Sequence, residues 1–199
     1  MVKKTVALLL VLVFYSAATA SAQERNDLQI FRDISDSVHR YAQFSIFDGI
    51  EASVTQGRVV LDGWVTMPFK KVDIDRRVRA VEGVESVDNR IQVLPVSQFD
   101  DELRFRIARA IYGNSAFWNY AAMANPPIHI VVNGGRVTLQ GVVQSNVERQ
   151  LARSLATGFA SFEITNQLRT DAEVKAELEK IGTMGEAATS SAVRLAGAP

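Results

Sequence analysis

The sequence predicts an α+β fold in which one two-layer unit, in the order αββαβ, is built twice. Three observations predict it. Gly57-Arg-Val-Val-Leu-Asp-Gly-Trp-Val65 returns 78 residues later as Gly135-Arg-Val-Thr-Leu-Gln-Gly-Val-Val143. Around each run the apolar residues alternate with the period of a half-buried strand, and beyond it they recur with the period of a helix. A second helical stripe precedes each run, so both halves of the chain carry the same elements in the same order.

Before the first unit, Lys3-Lys4 is followed by an apolar run from Val6 to Tyr15 and then by Ala20-Ser21-Ala22. This is the pattern of a secretory signal with an A-x-A cleavage site, and the run is too short to span a bilayer. Residues 1–22 are therefore expected to be removed, leaving a chain that starts near Gln23, soluble outside the cytoplasm. With no cysteine there is no lipobox and no disulfide, so the cores must hold the fold alone. Without Lys3 and Lys4 the chain has 20 basic against 22 acidic side chains. That balance gives no global field for nucleic acid or anionic lipid, and any electrostatic contact has to be local.

The first helix of each unit is predicted from Ile30, Ile34, Val38 and Tyr41, and from Leu103, Ile107, Ala110 and Ile111. The hairpins follow. Ile50, Ala52 and Val54 face Val59 and Leu61 in one; Ile128, Ile130 and Val132 face Val137 and Leu139 in the other. Thr55-Gln56-Gly57 and Asn133-Gly134-Gly135 supply turns of hairpin length. A second helix presents Ile74, Val78 and Val81, or Val147, Leu151 and Leu155, to its sheet. A last strand closes each unit, with Val87, Asn89, Ile91 and Val93 matched by Ile164, Asn166 and Leu168. The units run over residues 23–97 and 98–171, joined by Leu94-Pro95-Val96-Ser97-Gln98, a linker short enough to predict a compact tandem. In residues 172–199, Asp171 to Ile181 reads as a short charged helix. Gly182 to Pro199 reads as a disordered tail, with few large apolar side chains to bury.

The element order, the G-x-V-x-L-x-G-x-V hairpin and the V-x-N-x-I/L final strand (Val87-Asp88-Asn89-Arg90-Ile91; Ile164-Thr165-Asn166-Gln167-Leu168) resemble the BON domain, named for bacterial OsmY and nodulation proteins. Val84, after Gly83, matches that family's turn before the last strand; the second unit departs there with Ala160-Ser161. The resemblance implies a non-catalytic protein of the bacterial periplasm, with roles in binding anionic phospholipid, in envelope integrity and in chaperoning under osmotic stress. It does not choose among them.

The residues narrow the candidates. Gly63 and Gly141 lie inside strands, where glycine marks a bulge or a close approach of backbone; Gly57 and Gly135 serve the turns, and Asn89 and Asn166 the final strands. No helix opens directly after a G-x-G-x-x-G, which argues against a nucleotide loop. His39 is expected in solvent and His129 on the face away from Ile128 and Ile130. Two histidines without cysteine assemble neither a metal cluster nor a recognisable triad, so neither cofactor, metal nor catalysis is expected.

Three surfaces remain as contact candidates. On the helix from Asp101, Phe105, Arg109 and Tyr112 form a second face, for packing against the first unit or for binding. The longer loop after it carries Phe117, Trp118 and Tyr120, either as an interfacial anchor or, aided by Pro126-Pro127, as a lid over the small core. Phe69, Lys70 and Lys71 lead into a helix with Arg76, Arg77 and Arg79, a solvated face or an anionic headgroup site. The function expected is a periplasmic binding module that meets anionic phospholipid or envelope proteins without catalysis; the alternative is a holdase-like chaperone or assembly factor. Liposome flotation and client-aggregation assays separate the two.

Overall fold

The computed structural model describes residues 26–159, 162–184 and 193–196. The expected signal segment and the Ala160-Ser161 turn lie outside the described residues.

The fold is α+β and consists of two repeated units. In the first, α1 (Asp27–His39), β1 (Gly49–Thr55), β2 (Arg58–Val65), α2 (Pro68–Arg79), β3 (Ser86–Asn89) and β4 (Gln92–Val93) follow in order. The second has α3 (Gln98–Tyr112), a 3-10 turn (Ser115–Phe117), α4 (Trp118–Ala121), β5 (Ile128–Asn133), β6 (Arg136–Val143), α5 (Asn146–Thr157) and β7 (Glu163–Thr170). Then come α6 (Asp171–Met184) and β8 (Val193–Ala196).

Each hairpin is antiparallel, pairing Gly49 with Trp64 through Thr55 with Arg58, and Ile128 with Gly141 through Asn133 with Arg136. The next strand pairs parallel to the hairpin's second strand, a pairing that requires the crossover helix the sequence supplies. In the first unit this edge is interrupted at Arg90-Ile91; in the second, β7 runs unbroken for eight residues.

Both hairpin turns have two residues at positive φ, Gln56 at 52° and Gly57 at 71°, Gly134 at 57° and Gly135 at 75°, the conformation that favours glycine and matches strand twist. An acidic residue in the first turn of each unit's first helix holds that turn. The Asp27 carboxylate accepts from the amides of Gln56 (2.8 Å) and Gly57 (3.0 Å), and Asp100 accepts from Gly134 and Gly135, both at 2.8 Å.

Gly63 and Gly141 have φ of 124° and 117°. A Cβ there would stand 2.1 Å from the Gly49 carbonyl oxygen and 1.8 Å from that of Pro127, so close approach of the opposite strand is what these glycines permit. Asn89 and Asn166 play one role twice. The side-chain amide of each donates to a carbonyl of the crossover helix, Lys71 or Arg149, and its Oδ1 accepts from the amide two residues on.

Ile30, Ile34, Val38, Tyr41, Ile74 and Val78 are buried as expected, and Phe31 joins them. In α5 the expected stripe is rotated. Val147 is 76% exposed, Leu151 and Leu155 are half-buried, and Ala152 and Ala156 point fully inward. The small side chains let the helix lie close to the sheet, which displaces the leucines to its flank.

The two cores interlock. Val142 from the second sheet and Val174 from α6 are buried in the first core, while Ile46 and Phe47, from the loop before β1, pack on the second. Helix α6 extends to Met184, three residues beyond the expected end. Part of the tail that composition leaves without structure, Val193–Ala196, forms a strand on β1.

Candidate functional site

Ser97 caps α3 by accepting from the Asp100 amide, which sets Leu103, Ile107 and Ile111 inward and leaves Phe105 outward, 57% exposed. Its ring meets Phe47 of the first unit edge-on at 4.9 Å, so this face touches the neighbouring unit without being covered by it. Arg109 is exposed on the same helix. Tyr112 is half-buried, its hydroxyl donating to the Ile128 carbonyl at 2.5 Å and accepting from the Ile128 amide at 3.1 Å. Burial pushes this phenol well above its ordinary range, against the pull of the Ile128 backbone. Tyr112 is thus a clamp on the start of β5 and not a contact residue.

The aromatic loop divides. Phe117 is fully buried in the second core and stacks on Tyr120 at 6.0 Å between centroids. The Tyr120 hydroxyl donates to Glu148 at 2.7 Å and accepts from the Gln144 amide at 2.9 Å; burial first, and Glu148 second, push its pKa up to about 12. For these two residues the lid reading holds, because a small core gains more from two rings than solvent would. Trp118, at the head of α4, stays outside at 65% exposure, with Met123 half-exposed nearby in the chain.

The basic run at α2 is not an open patch. Lys70 is buried, its Nζ 2.6 Å from Asp48 Oδ2 and 2.7 Å from Thr66 Oγ1. Asp48, also buried, accepts further from the amides and hydroxyls of Ser45 and Thr66. Burial alone would raise the Asp48 carboxyl; Lys70, Thr66 and Ser45 outweigh it and hold the group below its ordinary range. Arg76 pairs with Asp73 and Arg79 with Asp75, while Arg77 lies over the Tyr41 ring at 4.6 Å. Phe69 is exposed and Lys71 half-buried, so of the expected headgroup trio one member serves the core. A lysine at the start of a helix reads as solvated until its partner, 22 residues earlier in a loop, is known.

The units meet, as the compact tandem requires, but around His129 and Phe44, which no sequence motif marks as junction residues. His129 is buried, and its Nδ1 donates to the Asp48 backbone carbonyl at 2.7 Å, an assignment that follows from the acceptor being a carbonyl. Its ring tilts against Phe44 at 5.2 Å, and Phe44 meets His39 edge-on at 6.2 Å. Burial is the first cause that pushes the His129 imidazole below its ordinary value. His39, expected in solvent, is half-buried and bonded to the Ser35 carbonyl at 2.8 Å. Gly49 lies against the second sheet so closely that a Cβ would fall 2.0 Å from Gln140 Oε1 and 2.6 Å from Val131. Further bonds cross the junction from the Ile130 amide to the Ile46 carbonyl at 2.7 Å, and from Asn125 to the His39 carbonyl at 2.8 Å. One signal existed in the sequence: Val131 shares its face with His129, so β5 is apolar on both sides, as a strand covered on both sides should be.

A cleft lies at this junction, lined by Phe31, Ile34 and Val38 of α1, Ile50 and Ala52 of β1, and His129. Of its polar side chains, His39 bonds to Ser35 and His129 to Asp48, while Gln140 Oε1 is buried without a partner among the described residues. Among the described residues there is no group of three or more His, Cys, Asp or Glu placed to hold a metal. No described helix is long and apolar enough to cross a membrane.

In comparison with known proteins, the sequence model of the BON domain matches residues 26–95 and again 100–172. No curated protein matches the chain. Among solved structures it is similar to the C-terminal domain of CdsD, a structural protein of the type III secretion system of Chlamydia trachomatis. Identity there is 17%, over 85% of this chain and 82% of that one, with a TM-score of 0.33. A second CdsD structure has 13% identity, covers 76% of this chain and 97% of that one, and has a TM-score of 0.26.

Proposed function

The chain belongs to the BON domain family, matched over both of its units, and from that premise we propose that it is a non-catalytic module of the bacterial envelope, acting in the periplasm by contact with a phospholipid surface. The observation that carries the reading is that the second unit leaves Phe105 and Trp118 outside while folding Phe117 and Tyr120 in. Trp118, a large ring with a polar N–H, suits the boundary between water and lipid, and Phe105 adds apolar area. Burying the two rings in that boundary contributes ~1.5 to 3 kcal/mol each by area, enough for weak, reversible attachment. Arg76 and Arg79 of α2 pair with acids of their own helix and Arg77 lies over Tyr41. This contact is therefore led by the aromatic rings, with Arg109 as the cation on the helix of Phe105 and anionic lipid adding a smaller share.

Flotation on vesicles of phosphatidylcholine, with and without phosphatidylglycerol, tests it. The wild type is expected to float with the anionic vesicles, and Phe105→Ser or Trp118→Ser to lose most of that fraction while melting normally. If the wild type floats with neither vesicle, the lipid reading fails.

A holdase-like reading has its own support. The rings of Phe99 and Phe162 both lie close to Gly135 and both are substantially exposed, so the second unit exposes apolar rings at its hairpin turn as well. Suppressed aggregation of a secreted client, lost on Phe105→Ser, would favour this reading if vesicles are not bound.

A further inference from the structure

The two hairpins leave the same kind of edge. β1 and β5 each begin a hairpin, and within the repeated unit each has a neighbour on one side only. A strand in that position offers a row of unpaired amides and carbonyls that another extended chain can complete. On β5 the loop before β1 covers the edge, with the Ile130 amide donating to the Ile46 carbonyl. On β1 the edge is filled differently: β8 lies antiparallel to it, pairing Val193 with Val54, Arg194 with Ser53, Leu195 with Ala52 and Ala196 with Glu51.

Three observations mark β8 as an occupant of this edge and not as part of the unit. The family match ends at residue 172, so the strand lies beyond the duplicated fold. The second sheet has three strands and no counterpart to it. Residues 185–192 separate it from α6, with the sequence Gly-Glu-Ala-Ala-Thr-Ser-Ser-Ala. Four paired residues lie at the short end of strand lengths, and covalent attachment to the same chain supplies the local concentration that favours so short a ladder.

We propose that the β1 edge is a strand-accepting site for an extended segment of a partner polypeptide, and that Val193–Ala196 is the chain's own competitor for it. The chemistry of the segment follows from the edge and from its resident. It has to be free of proline at the alternate positions whose amides face β1, since those amides complete the ladder. It should set a polar residue between two apolar ones, as Val193-Arg194-Leu195 does. A basic residue is favoured because Glu51 and Asp62, directly opposite each other in the register, place two carboxylates on one face beside the edge. Affinity from main-chain pairing with light side-chain selection describes a site that takes related segments from many chains. The site is independent of the aromatic contact on the second unit, so either can fail alone.

The test uses the full chain and a variant, Arg194→Pro with Leu195→Pro, in which one of two adjacent amides on the inward side is lost whichever way the strand is phased. The probe is a fluorescent peptide of residues 190–199. The variant, checked for an unchanged thermal transition, is expected to bind the peptide saturably and at least tenfold more tightly than the wild type, whose own strand competes. Two further peptides carry N-methyl groups on residues 193 and 195 or on 194 and 196; one set is expected to abolish binding and the other to leave it. Equal binding by variant and wild type, no binding by either, or equal effects of the two methylation patterns would each overturn the proposal. So would a concentration-dependent dimer of the wild type that the variant lacks, because the seat would then belong to a second copy.

Discussion

Lys70 brings a positive charge into a place closed to water, and Asp48 and Thr66 are what make that tolerable. Removing one partner of a buried pair leaves the other uncompensated, which costs more than the pair contributes. Lys70→Met is therefore expected to destabilise the fold by about 3 to 5 kcal/mol in denaturant unfolding, although a lysine at the head of a surface helix would ordinarily be replaceable. The same carboxylate gives an acid limit. Held below its ordinary range, Asp48 stabilises the fold fully above about pH 4, and that contribution is lost as pH falls through its folded value. His129 acts earlier. Its folded pKa is depressed, so as pH drops below about 6.5 the unfolded chain takes up the proton first and stability declines. The decline is at most ~1.4 kcal/mol per pH unit. Melting curves between pH 7 and 5 should be flatter for His129→Gln than for the wild type.

Within each element the two copies can be compared, and what they share is structural. The acidic residue that holds each hairpin turn, Asp27 or Asp100, is an example: Asp100 is almost fully buried and serves two amides. Asp100→Ala would strand both donors and is expected to cost about 2 to 4 kcal/mol, with the unmet amides at ~1 to 2 each, measured by thermal unfolding. Asp27→Ala, at the more open first turn, should cost less. The hairpins, helices and final strands were legible as elements because they are local: alternation around Val59 and Val137, helical spacing around Ile74 in α2 and Ile107 in α3. Asp27 and Asp100 were not, since a carboxylate in a first helical turn reads as a partner for the helix dipole. Phe117, Trp118 and Tyr120 were legible as a group but not individually, because a loop with rings on both sides has the same pattern whether it folds in or out. Val147 was misplaced because leucines outrank alanines in any hydrophobic stripe, while packing distance favours the alanines.

Across the whole molecule, contacts between the units depend on Gly49, where the second sheet comes against the first. Gly49→Val puts a strand-favouring residue in a strand, so its effect should fall on the junction and not on the hairpin. It is expected to raise the radius of gyration in solution scattering and to split one unfolding transition into two, with helix content retained. The covering of His129 and the fate of Lys70 belong to this scale as well, since both meet the loop of residues 44–48, which no periodicity describes. The interlocked cores also impose an order in time. A chain made from its N-terminus completes Val38, Ile74 and Ile91 early, yet Val142, which shares that core, arrives midway through the second unit and Val174 only after the whole of it. The first unit made is therefore the last to be sealed, and throughout synthesis its interior stays open to whatever else is waiting at the exit.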